Sequence, residues 1–141
     1  MRRTTASPAL AIALACLAAG CGGAGDRPLP EPLPTDVPFA YHTQTQPGGD
    51  GALLEGTLEL QDGCLVVLPI HDGMQDPVVP VVPVVATTWD GTTLTVNASS
   101  AAVGEEISLG GGFHARPPDG AFVPESCPPA TTDRYLVVGL E

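Results

Sequence analysis

The stretch that decides the fold is Leu54-Glu55-Gly56-Thr57-Leu58-Glu59-Leu60-Gln61-Asp62-Gly63-Cys64-Leu65-Val66-Val67-Leu68-Pro69-Ile70. In its first half Leu54, Gly56, Leu58 and Leu60 alternate with Glu55, Thr57 and Glu59, a period of two that buries one strand face and wets the other. Asp62-Gly63 is a hairpin turn signal, because Gly accepts positive φ. The second half, 64–70, reads as a second, more fully apolar strand. The stretch predicts a β-hairpin.

The same reading extends outward. Asp90-Gly91 predicts a second hairpin between strands at 84–89 and 92–96, with Leu94 and Val96 inward. Residues 97–102 read as a small polar connection with room for one helical turn. A strand follows at 105–112, with Ile107 and Leu109 inward and Gly110-Gly111-Gly112 closing it at a sharp bend or bulge. A last strand spans 135–140. Pro77-Val78-Val79-Pro80-Val81-Val82-Pro83 has Pro at every third residue, and each Pro removes a ladder donor, so 77–83 is assigned to an edge or an extended segment. Six short strands joined by turns predict an all-β domain, either a small barrel or a compact sandwich.

Composition agrees. The 141-residue chain holds 17 Gly and 16 Pro with 4% aromatics, a poor mix for helices. Asp plus Glu number 16 against five basic residues, all of them Arg. Without clustered cations the chain cannot displace counterions from a phosphate backbone, which excludes nucleic acid as a partner.

The N-terminus reads as an export signal. Arg2 and Arg3 precede an apolar run at 8–19, too short for a bilayer span, which needs about 20 residues. Leu17-Ala18-Ala19-Gly20-Cys21 resembles the bacterial lipobox, although Leu17 stands four residues before the Cys and Ala18 takes the usual Leu position. The resemblance implies cleavage after Gly20, a diacylglycerol thioether on Cys21, and an extracytoplasmic protein anchored to the cell membrane, or to an outer membrane where the envelope has one. The chain then divides into a signal peptide (1–20), a Gly/Pro-rich disordered tether (21–38) and a β-domain (39–141). Removing Arg2 and Arg3 leaves the 16 acidic residues facing three Arg.

The four Cys fall into place on this reading. Cys16 leaves with the signal and Cys21 carries lipid. Cys64 and Cys127 remain as an even pair in an oxidising compartment, where a disulfide is expected over two buried thiols.

Further short motifs, namely Gly56-Thr57-Leu58, Asp62-Gly63-Cys64-Leu65, Trp89-Asp90-Gly91, Val103-Gly104-Glu105-Glu106-Ile107-Ser108-Leu109-Gly110-Gly111-Gly112, Cys127-Pro128 and Val137-Val138-Gly139, resemble a small exported domain recurrent among actinobacterial lipoproteins of unknown function. The likeness covers 52–140 and implies a location and a fold, with no activity. The 103–109 segment also resembles a strand of the oligonucleotide/oligosaccharide-binding barrel.

No catalytic residue emerges. Ser99, Ser100, Ser108 and Ser126 lack the Gly-x-Ser-x-Gly elbow. Glu105 and Glu106 are strand neighbours that face opposite ways. Gly110-Gly111-Gly112 lacks the helix and Lys of a phosphate loop, and no cofactor motif is present. His71-Asp72 with His114 offers metal-ligand chemistry without metal-site spacing, and solvated loop residues explain it better. Asp72, Asp76, Asp119, Glu125 and Asp133 carry oxygen ligands for a hard cation but no calcium-loop spacing, so the acidic surface is read as solvated. The candidate binding loop is the Pro-rich segment holding Phe113, His114, Arg116 and Phe122, a surface for an envelope protein or a glycan. The expected function is a non-enzymatic envelope module; the alternative is a cation-binding or ligand-sequestering lipoprotein.

Overall fold

A computed structural model describes residues 27–45, 48–71, 73–128 and 134–141. Cys21, the signal region, Asp72 and Asp133 lie outside the described residues. Nine strands are found among them: β1 (Ala40–His42), β2 (Ala52–Gln61), β3 (Cys64–Pro69), β4 (Val79–Pro83), β5 (Thr87–Trp89), β6 (Thr93–Val96), β7 (Ser99–Ala102), β8 (Glu106–His114) and β9 (Tyr135–Val138), with one 3-10 turn at Val84–Ala86. They form a six-stranded sheet in the order β1-β4-β9-β8-β2-β3 and a three-stranded sheet in the order β5-β6-β7.

The deciding hairpin forms, with Leu60 as the exception to its pattern: it stands 46% exposed near the turn end of the strand. β2 and β3 pair antiparallel from Gly56↔Pro69 to Gln61↔Cys64. Asp62 (φ 51°) and Gly63 (φ 88°) make the turn. Leu54 and Leu58 are buried on the inner face, where β8 adds Ile107 and Leu109. β6 and β7 close over them with Leu94, Val96 and Ala101. The molecule is therefore an all-β sandwich. The edges of the large sheet do approach each other, through a Val67↔Val78 bridge and a Leu65 N–H donated to the Pro38 carbonyl. No ladder joins them, so the barrel alternative, and with it the oligonucleotide/oligosaccharide-binding likeness, is corrected.

Three local expectations also change. Residues 97–102 form the turn Asn97-Ala98 and strand β7. Asn97 takes φ 51° and clamps the C-terminus, donating from Nδ2 to the Gly139 carbonyl at 2.8 Å and accepting from the Glu141 N–H. The three glycines sit inside β8 rather than closing it. Most consequential is the Pro-Val repeat: β4 is interior, parallel to β1 on one side and to β9 on the other. The strand expected to begin at Val84 is instead the 3-10 turn leading into β5.

The prolines survive there because successive residues of a parallel strand address alternate neighbours. Val79 N–H donates to the carbonyl of Arg134, the residue just before β9. Val81 pairs with Val137, and continuing that register by two residues brings Pro83 level with Gly139, so that its nitrogen would face the Val138 carbonyl. Pro80 stands one residue before the β1 register begins at Ala40↔Val81, and Pro83 lies beyond the last β9 pair, Val81↔Val137. Each missing donor thus points to the neighbour with which that proline has no pair, β1 for Pro80 and β9 for Pro83.

The donor that Pro83 lacks is supplied by a side chain. His42, the Cα partner of Pro83, is 6% exposed, and its Nε2 donates to the Val138 carbonyl at 2.8 Å. Its Nδ1 accepts the Gln44 N–H at 3.2 Å. Since a carbonyl can only accept, the hydrogen resides on Nε2. His42→Phe is expected to lower unfolding free energy by about 1–3 kcal/mol, the cost of a buried acceptor left unpaired, read from a urea transition. An unchanged midpoint would mean that water reaches the carbonyl.

A second apolar cluster lies on the outer side of β3 and β4, where Ala40, Cys64, Val66, Val79, Val81 and Tyr135 meet Cys127. Ala121 and Val123 pack against it. The Cys64–Cys127 disulfide ties this covering loop to β3, and Ser126 Oγ donates to the Gly63 carbonyl nearby. Contacts with the domain begin before residue 39. Tyr41 hydroxyl donates to the Pro34 carbonyl at 2.8 Å, Val37 packs on the main core, and an Arg27 Nη2 reaches the Glu141 carbonyl at 3.2 Å.

Candidate binding surface

Of the four residues of the expected binding loop, only His114 and Arg116 share a surface. Phe113 is half-buried against the main core, while its neighbour His114 is exposed and faces Asp50, Nε2 to Oδ2 3.6 Å. Arg116 is exposed and, with His114, Pro117 and Pro118, borders an open depression of about 820 Å³. Phe122 is a core wedge. It exchanges backbone hydrogen bonds with Tyr41, 2.9 Å each way, and stacks on the Tyr41 ring with centroids 5.0 Å apart. Desolvation at this site pushes the Tyr41 hydroxyl pKa up.

The other candidates have local partners. His71 meets Glu55 at 3.0 Å, so His71 and His114 each face a separate carboxylate. Among the described residues, no group of three or more His, Cys, Asp or Glu side chains comes together as a metal site. Ser99 Oγ donates to the Ser108 carbonyl, and Glu105 caps its own turn by accepting the Ala102 N–H. Asp90 does the same in the second hairpin. Its Oδ1 accepts the Thr92 and Thr93 N–H groups, which hold its pKa below the ordinary carboxylate value.

A different cleft combines apolar walls with charge. Its volume is about 450 Å³, and its lining includes Met74, Gln75, Asp76, Val78, Phe113 and Arg134. Sheet order assembles it. β8 and β9 pair His114 with Tyr135, and β4 pairs Val79 with Tyr135, so Phe113, Val78 and Arg134 arrive at one end of three adjacent strands. The 73–76 loop closes one side. Arg134 Nη2 contacts Asp76 Oδ2 at 3.0 Å, with Arg134 29% and Asp76 71% exposed. The cation therefore forms part of the wall and the carboxylate stands at the rim.

Of these residues, Phe113 and Asp76 were singled out on sequence grounds, for other roles. Arg134, one of only three Arg beyond residue 20, was the available pointer to the cleft. No family model matches the chain, and neither the curated proteins nor the solved structures give a match.

Proposed function

We propose that the protein is an exported, lipid-anchored module of the cell envelope that binds a ligand without transforming it. The observation that carries the binding half is the cleft at Phe113, Val78 and Arg134, which pairs apolar walls with a few fixed charged groups, the usual makeup of a small-molecule site. Export accords with the Cys64–Cys127 disulfide, and anchoring rests on the lipobox likeness ending at Cys21.

Anchoring is tested at Cys21. Cys21→Ala is expected to abolish labelling by a fatty-acid probe and to move the protein from the membrane to the soluble fraction; membrane retention of the variant refutes the anchor. The non-enzymatic half is refuted by any hydrolytic or redox turnover of the purified chain that a single substitution abolishes.

A further inference from the structure

The cleft's charges are arranged as a pair, and the pair selects a ligand class. Arg134 spends one Nη2 contact on Asp76 Oδ2, and a guanidinium carries five N–H donors. Its remaining donors can take a carboxylate without releasing Asp76. Asp76, mostly exposed, keeps acceptor capacity on its carboxylate for an ammonium group. Guanidinium and carboxylate stand 3.0 Å apart, close to the separation of the two charged groups of an α-amino acid. Such a ligand can lie head to tail against the pair, each charge facing its opposite.

The rest of the molecule disfavours the simpler alternatives. A chain of formal charge −11 repels an anion over the Debye length. A lone cation would be drawn in by that field but would find Arg134 in the wall. A zwitterion has no net charge to be repelled and satisfies both partners locally. Beside the pair, Phe113, Met74 and Val78 supply an apolar surface, which suits an uncharged aliphatic or aromatic side chain.

We infer that the cleft between Met74, Phe113 and the Asp76–Arg134 pair binds a small zwitterion, an α-amino acid with an apolar side chain. The inference rests on the reading of the protein as a binding module and names its ligand class. Arg134 holds the carboxylate, Asp76 the ammonium, and Phe113 with Met74 the side chain.

The test is calorimetric titration of the full purified chain with L-phenylalanine, with 3-phenylpropanoate, which lacks the ammonium, and with phenethylamine, which lacks the carboxylate, each to about 10 mM. L-Phenylalanine is expected to bind at least about 10-fold more tightly than either analogue, the value of one charge-assisted hydrogen bond. Arg134→Gln is expected to weaken it by about 10-fold or more. Since Arg134 also ties the 73–76 loop to the start of β9, Met74→Trp provides a second variant that leaves both charges in place and fills the cleft; it is expected to abolish binding while the calorimetric thermal transition stays put. If 3-phenylpropanoate binds as tightly as L-phenylalanine, the cleft remains a site and the zwitterion assignment falls. If none of the three binds, the cleft is not a ligand site and the binding-module reading loses its support.

Discussion

Replacing Cys64 and Cys127 together by Ala is expected to lower the unfolding free energy by about 4 kcal/mol. The bridge closes a loop with a sequence separation of 63 residues, and a cross-link of that length removes about that much chain entropy from the unfolded state. Small domains have only about 5–15 kcal/mol in total. With a urea slope near 1.5 kcal/mol per M, the midpoint should fall by about 2–3 M. The native state loses order as well, because Cys127 is where the 121–127 loop meets the outer cluster over Val66, Val79 and Val81. Local opening there should appear as faster amide exchange at Ala121 and Val123 before global unfolding. A midpoint shift below about 0.5 M would show that apolar packing holds the loop and that the cross-link adds little.

Gly56→Ala and Gly111→Ala should each cost about 3 kcal/mol or more, at the upper end of overpacking penalties. A Cβ built on Gly56 falls 2.2 Å from the Leu68 carbonyl oxygen, and one on Gly111 falls 2.1 Å from the Val137 carbonyl oxygen. Both obstacles are backbone, so no rotamer change relieves them. Relief requires β2 to part from β3, or β8 from β9, and either movement breaks ladder hydrogen bonds. Gly110→Ala, with nothing within 4 Å of its Cβ, is the matched control. It lies in the same strand with the same propensity cost, and its urea midpoint should stay near that of the parent. Equal effects at Gly110 and Gly111 would mean that the close approach of β9 is unimportant to stability.

These glycines mark where the amino-acid pattern stops being informative. Gly56 read as one more inward position of an alternating strand, and Gly110-Gly111-Gly112 read as a strand end. Nothing local announces that a neighbouring carbonyl will sit over Gly56 and Gly111 but leave Gly110 open. The Pro-Val repeat misled for a related reason. A Pro is fatal to an interior strand only where its nitrogen faces a ladder, and which neighbour each residue faces is a property of the assembled sheet. β7 was legible only as small polar residues, because Ser99 and Ser100 reach strand geometry through pairing with Thr95 and Val96. β1 contributes three residues too few to register as a pattern.

The binding surface shows the same division. Phe113, His114, Arg116 and Phe122 share a stretch of chain, yet strand alternation turns Phe113 away from His114 and the Tyr41 stack takes Phe122 into the core, leaving only His114 and Arg116 on one surface. The cleft instead joins residues from three distant segments. Asp76, Phe113 and Arg134 meet because β4, β9 and β8 are neighbours in the sheet.

By itself, the sequence determined the all-β class, the β2–β3 and β5–β6 hairpins with their Asp-Gly turns, the inward positions of Leu54, Leu58, Leu94, Ile107 and Leu109, and the two cysteines that pair. All of these follow from interactions over a few residues, or from counting. The tertiary structure alone decided that the sheets form a sandwich, that the proline-rich strand lies inside it with His42 supplying the absent donor, and that Arg134 and Asp76 stand together beside Phe113. Those outcomes depend on strand order and register, which arise when distant segments bury one another's apolar faces, and no short window of chain encodes them.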